Sequence, residues 1–474
     1  MGKDMNEKLQ QLHDKTMEIL GTIGMKFLHP EALEILKGNG IRVDGDVAYF
    51  TESQLMDWVN KAPESFTLNA RNPEHTVHIG GDSTVLAPCY GAASITDKVG
   101  VRHPATFEDY MNYLKLFDAN PYYHINGGLL VQPSDIDLAT SGLAMFYATL
   151  THSEKCLFVP AGDRWQIDPI MESCIHYFGE DAIAAGPHVL TIVNVNSPLM
   201  FDNRMFETLF TFASHGQPFP IVNCSMAGST SPMTLAGTIA QINAEILPIV
   251  ALSQMVREGT PVLFGTATAT ADMATGQIAI GSPEGALCYK YCTELAKFYG
   301  LPCRGGGALT DSKLVDAQAG YESMITLMTD YTNHMNLVIH SAGILDGYAT
   351  TSYEKVIQDF EIIGYLERYM HDIDINDETI PLEVMAEVGH DGEYLTHPHT
   401  FDWCRSEPYI PTISSRGHVA DPVHQLDMRI DERRQQLMDA YVKPEVDESK
   451  LGVIKDILVK AGTDRSLLDR IETM

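Results

Sequence analysis

Basic residues are scarce in this chain. Its 474 residues carry 63 Asp and Glu against 32 Lys and Arg, a formal net charge of -31. Such a surface repels polyphosphate and anionic lipid, which argues against nucleic-acid binding and against docking on an acidic membrane. Cysteine is sparse as well: eight, at 89, 156, 174, 224, 288, 292, 303 and 404, with no CxxC pair. In a chain of this length they read as reduced, mostly buried thiols of a cytoplasmic protein. No run of about 20 apolar residues stands out, so no membrane span is expected. The start, MGKDMNEKLQQLHDKTMEIL, is polar and amphipathic and lacks the apolar core of a secretory signal. No GxGxxG follows a strand-like run, and no Lys follows the glycine triplet at 305–307 at P-loop spacing.

What is present is an alternation. Short, nearly continuous apolar runs occur at Thr84–Tyr90, Tyr122–Gly127, Cys156–Pro160, Val189–Val195, Pro220–Ser225, Pro261–Thr266, Pro302–Gly305 and Leu337–Ser341. Segments of helical period follow them near 106–117, 135–150, 165–177, 202–213, 233–257, 284–299, 313–333 and 353–370. Thr106 with Asp109 has the spacing of a helix cap. The sixth helix has Ser282 to cap it, Pro283 at its first position, Leu287, Tyr291, Leu295 and Phe298 on one face, and Gly300 to stop it. Continuously apolar runs suit parallel strands buried on both faces. Eight such units predict an α/β fold, a (β/α)₈ barrel over residues 81–371. An open doubly wound sheet is the alternative, disfavoured by the count of eight and the missing GxGxxG. Helical extensions are expected at 1–80, with a β piece at 65–79, and at 372–474, with helices near 379–388, 420–441 and 447–460.

In such barrels the chemistry sits at the C-terminal ends of the strands. That rule selects Tyr90 and Asp97 after the first strand, Trp165 after the third, and Asn194 and Asn196 after the fourth. It further selects Arg304 with Gly305, Gly306 and Gly307 after the seventh strand, and His340, Tyr348 and then Tyr353 after the eighth. The set is aromatic and nearly neutral, without the acid pair of a glycosidase. His397, His399 and Cys404, or Cys288 and Cys292, lack a tight zinc spacing, and no metal is expected. Cys89, Cys224 and Cys303 read as small apolar strand residues. The glycine triplet lets either another backbone or a flat cofactor come close.

The segment Arg304–Tyr365, beginning RGGGALTDSKLVDAQAGYES, resembles the signature stretch of the trimethylamine methyltransferase (MttB) superfamily. The loop Ser225–Pro232 and the late segment HDGEYLTHPHTFDWCRSEPYIP are similar to two further patterns of that family. The resemblance implies the barrel reached above. It also implies methyl transfer from an amine to Co(I) of a corrinoid held by a separate partner protein, with no corrinoid tightly bound to this chain. All 474 positions are standard residues, so the chain resembles the branch without pyrrolysine, which acts on quaternary amines. Glycine betaine is the first choice, then proline betaine, carnitine or butyrobetaine; a homo-oligomer is expected. Cobalt is then the nucleophile, and no residue of this chain is assigned that role. Tyr90, Trp165, Tyr348 and Tyr353 are the expected aromatic cage for the ammonium head, with Asp97 as its anionic neighbour. Arg304 and His340, supported by Asn194 or Asn196, are the expected partners of a betaine carboxylate. Gly305, Gly306 and Gly307 are expected to face the corrinoid. A metal-dependent barrel lyase or hydrolase and a non-enzymatic betaine-binding protein are the rival readings.

Overall fold

The computed structural model describes residues 3–419 and 424–474. Eight short parallel strands form its centre: β1 Val85–Leu86, β2 Ile125–Gly127, β3 Cys156–Phe158, β4 in two pieces (Val189–Leu190 and Val193–Val195), β5 Phe219–Asn223, β6 Val262–Thr266, β7 Cys303–Gly305 and β8 Leu337–Val338. Each is followed by its helix: α1 Phe107–Ala119, α2 Ser141–His152, α3 Arg164–Phe178, α4 Asn203–Ser214, α5 Leu235–Val256, α6 Pro283–Phe298, α7 Ala317–Thr332 and α8 Tyr353–Met370. The second piece of β4 pairs with β5, and the order continues through β6, β7 and β8 to β1. The first piece of β4 pairs with β3, and β3 with β2. One parallel bridge, from Leu86 to Tyr123, links β1 to the residues ahead of β2.

The strands bury both faces. Leu157, Val189, Val193, Ile221, Phe264 and Val338 pack against the helices. Their neighbours Phe158, Leu190, Val222, Leu263, Leu337 and Ile339 form a separate inner cluster. A hairpin, Ser65–Leu68 with Val77–Gly80, adds Phe66, Leu68, Val77 and Ile79 to that inner cluster. It lies at the strand starts, where Cys156 Sγ donates to the Leu68 carbonyl at 3.3 Å. The N-terminal extension is therefore part of the same core.

Helix α5 corrects one expectation. It is long and apolar enough to cross a membrane, but most of it is buried inside the protein. It packs against the helices Lys3–Thr22 and Glu52–Val59 on one side and β5 on the other. A helix buried over most of its length has little need of a polar face.

Local hydrogen bonds set the helix starts. Thr106 and Asp109 form a reciprocal capping box on α1, and Ser282 caps α6 through the Gly285 N–H. Helix α2 begins at Ser141 rather than near 135, and Asp135 Oδ1 instead accepts from the Phe107 N–H at 2.7 Å. On α6, Leu287 is half exposed, while Cys288, Cys292 and Leu295 turn inward. In the C-terminal extension the expected helix from 420 starts at Gln425; positions 420–423 lie outside the described residues. The short helices Leu382–Val388 and Pro398–Trp403 have no buried residue. The chain beyond them is tied to α8 by Glu361, whose carboxylate accepts from the Thr412 N–H at 2.8 Å and Oγ1 at 2.7 Å.

Candidate active site

Alternation along β7 turns Cys303 outward and Arg304 inward, where it is 1% exposed. Its Nη1 donates to the Thr266 carbonyl at 2.8 Å, and its Nη2 to His340 Nδ1 at 3.1 Å. A guanidinium does not give up its proton in a protein, so His340 Nδ1 is the acceptor. The imidazole proton is therefore on Nε2, which donates to the Tyr90 carbonyl at 3.1 Å. Burial, and then the Arg304 charge, hold His340 well below the ordinary imidazole range, so it is neutral.

Aromatic rings gather on this pair. Tyr348 lies tilted against His340 with ring centroids 4.8 Å apart, and Tyr90 meets His340 edge-on at 6.4 Å. Tyr90 also stacks on Phe158 at 5.3 Å. His340 and Tyr348 have φ of 64° and 71°, a left-handed conformation that costs energy outside glycine and concentrates at functional sites. Tyr90 and Trp165 line one cavity of about 360 Å³, with Gln132, Met145, Asp163 and Arg204. Trp165 is 48% exposed at its rim. A larger apolar groove of about 740 Å³ runs along the helix Lys3–Thr22, on the outside of α5 and α6. It gathers none of the groups just described, whereas the smaller cavity shares Tyr90 with them.

Two side chains show how far solvent reaches inward. Asn194 is exposed although it shares the inward side of β4 with the buried Leu190. Cys224, just past β5, is also exposed. Crowding nevertheless pushes its thiol up, an effect that Arg304 partly offsets. Its exposure corrects the reading of Cys224 as a small apolar strand residue. Asn196 sits in the loop after β4, bridged to Met200 through backbone hydrogen bonds of 3.0 Å.

Three expectations are corrected. Tyr353 is not part of this cluster: its ring stacks on Tyr113 at 4.5 Å, Arg434 covers it at 3.9 Å, and its hydroxyl donates to Asp109 at 2.9 Å. Asp97 serves its own hairpin, accepting from the Val99 and Val101 N–H groups at 3.0 and 2.8 Å. The glycine triplet is buried and presents no face to a corrinoid. A Cβ at Gly306 would lie 1.9 Å from the Asp330 carboxylate, and one at Gly307 would lie 2.4 Å from the His340 carbonyl oxygen. The protein's own groups occupy the space that glycine leaves.

Several residues around the site escaped the sequence reading. Tyr289 of α6 and Asp330 of α7 are fully buried beside Arg304. Asp330 Oδ2 accepts from the Gly307 N–H at 2.8 Å, and burial raises its carboxyl well above the usual range. The hydroxyls of Tyr289 and Tyr348 face one another, while Arg304 Nε and Asp330 Oδ1 have no hydrogen-bond partner. Glu245 of α5 is buried and accepts from Ser197 Oγ, the Leu199 N–H and Gln241 Nε2, each at 2.8 Å, and from Asn223. It ties the loop after β4 to the end of β5. A lone acid inside an apolar helix was the one signal that could have found it.

Among the described residues no three His, Cys, Asp or Glu converge to hold a metal ion. His397 instead accepts from the His399 N–H at 3.1 Å at the start of its short helix. The cluster thus offers a buried fixed cation, a neutral imidazole and aromatic faces, with Tyr90 joining it to the cavity of Trp165. Such parts are suited to holding a small polar molecule.

Comparison with known proteins agrees with this character. The chain is 40% identical over 445 residues to the glycine betaine methyltransferase of Desulfitobacterium hafniense (strain Y51), covering 93% of each. It is 28% identical to the proline betaine:corrinoid methyltransferase of Eubacterium limosum, covering 95% of each. The crystal structure of the hydroxylamine MtmB complex aligns over 92% of this chain and 93% of that one, with a TM-score of 0.50 at 11% identity, a likeness of α/β fold alone. The sequence pattern of the trimethylamine methyltransferase (MTTB) family matches residues 4–461, nearly the whole length, and the chain belongs to that family.

Proposed function

We propose that this chain moves a methyl group from a small quaternary amine, glycine betaine first, to Co(I) of a corrinoid carried by a separate protein. We further propose that the eight parallel strands close into a (β/α)₈ barrel around the site. The bridge from Leu86 to Tyr123, the pairing of β4 on both edges and the separate inner cluster support closure. The names of the relatives support the reaction.

The observation that carries the substrate is the buried Arg304, joined to a neutral His340 beneath the rings of Tyr348 and Tyr90. A fixed positive charge at depth draws the carboxylate end of a zwitterion inward. The ammonium end is then left toward the aromatic rings and the cavity of Trp165, where each ring contact contributes about 0.5–2 kcal/mol. In that orientation a methyl group faces the opening. The leaving group is a neutral tertiary amine, so no general acid is required, and the neutral, locked imidazole fits that demand. Co(I) of the partner supplies the nucleophile. The chain's own residues bind the zwitterion, aim its methyl outward and exclude water.

An anaerobic assay with the cognate corrinoid protein and a panel of quaternary and tertiary methylamines tests the reading, with methylation of the corrinoid followed by absorbance. Turnover of glycine betaine with none of trimethylamine is the expected result. Silence across all quaternary amines overturns it.

A further inference from the structure

Six of the eight cysteines are buried; Cys404 is exposed on the C-terminal extension, and Cys224 is exposed at the C-terminal end of β5. Cys224 lies just past β5, two residues beyond Val222 of the inner cluster. Its Sγ donates to the Ala267 carbonyl at 3.5 Å, one residue past the Thr266 carbonyl that takes Arg304 Nη1. Arg304 Nε is buried without a partner. An orphaned buried donor whose neighbouring strand end carries an exposed thiol points to a ligand or water that completes it.

We propose that Cys224 forms a wall of the substrate pocket and is a covalent modification site for thiol-directed electrophiles that carry a trimethylammonium head. This rests on the reading of the site as a quaternary-amine pocket. The head group that the pocket accepts as substrate brings the electrophile's sulfur to the thiol. With a methanethiosulfonate, the Cys224 thiolate attacks the sulfenyl sulfur and a disulfide to Cys224 forms. The sulfur–sulfur bond of the reagent breaks, methanesulfinate leaves with the electron pair, and the thiol proton passes to solvent. Thiolate is the reacting form, so the rate rises with pH.

The experiment uses the full-length Cys404→Ser protein and 2-(trimethylammonio)ethyl methanethiosulfonate. Intact mass and peptide mapping locate the label, with Cys224→Ser as the control that abolishes it. Labelling is expected at Cys224. Glycine betaine at ten times its Kd slows it about tenfold, and the labelled protein loses both betaine binding by calorimetry and turnover until dithiothreitol restores them. Equal labelling rates with and without glycine betaine, no label at Cys224, or unchanged betaine binding after labelling each overturn the proposal. Turnover of glycine betaine by the unlabelled protein is measured alongside. If that activity is present while protection fails, only the placement of Cys224 falls. If no quaternary amine is turned over, the functional reading falls and this inference falls with it.

Discussion

Arg304 and His340 form a buried donor–acceptor pair, Nη2 to Nδ1 at 3.1 Å, and that single bond decides which imidazole nitrogen carries the proton. Arg304→Lys keeps the charge but loses the planar fork that serves Thr266 and His340 together. A hydrogen bond to a charged group contributes about 1.5–3 kcal/mol, so kcat/KM for glycine betaine is expected to drop by about ten- to a hundredfold. Steady-state kinetics with circular dichroism as a folding control checks this. A variant with wild-type kinetics would show that the pair does not position the site.

Much of the fold was legible because it rests on local signals. Continuous apolar runs marked the eight parallel strands, and Thr106 with Asp109 and Ser282 with Pro283 marked two helix starts that the structure reproduces. The site was legible only in part. Arg304, His340, Tyr348 and Tyr90 follow from position at strand ends. Tyr353 does not, since it begins α8 and turns to Tyr113 and Arg434, away from its near neighbour Tyr348. Tyr289 and Asp330 lie within helices, where periodicity reads a tyrosine as core and an acid as surface. Only tertiary packing brings them beneath the glycine turn.

That turn makes a separable prediction. Gly306 has φ of 57°, and its missing Cβ would meet the Asp330 carboxylate at 1.9 Å. Gly306→Ala is expected to destabilise by about 2–5 kcal/mol, from the left-handed backbone and the clash together. In an Asp330→Ala background the clash is removed, and the same change costs about 1–2 kcal/mol. Denaturant unfolding of the double-mutant cycle measures the difference. Additive effects would mean that the carboxylate moves aside freely.

Acid is expected to weaken this protein through a histidine held neutral. His152 is fully buried with Nε2 unpartnered, and burial, Lys443, Lys115 and Arg71 lower it to about 3. Its folded value lies below the unfolded one of 6.5, so between the two the unfolded chain binds more protons. The stability that neutral His152 contributes is present above pH 6.5 and is lost as the pH falls toward 3. The slope approaches one proton, about 1.4 kcal/mol per pH unit. His152→Gln should flatten the unfolding free energy between pH 6 and 4.5 relative to the unmodified protein. Parallel profiles would assign the acid loss to other groups.

The aromatic residues separate recognition from structure. Trp165 and Tyr353 are both large, and both were candidates for one cage, but they stand in different surroundings. Trp165 is half exposed on the rim of the cavity shared with Tyr90. Removing its ring takes away one cation–π contact of about 0.5–2 kcal/mol, so Trp165→Leu should raise KM for glycine betaine by about two- to thirtyfold with little change in melting temperature. Tyr353 has both ring faces occupied, by Tyr113 and Arg434, and its hydroxyl bound to Asp109. Tyr353→Leu should lower the melting temperature and leave KM near its starting value. Kinetics and calorimetry on the two variants give opposite signatures if the cage is at the cavity rim. A KM effect at Tyr353 without loss of stability would return that residue to the site, and would require the substrate to displace Arg434 from its ring.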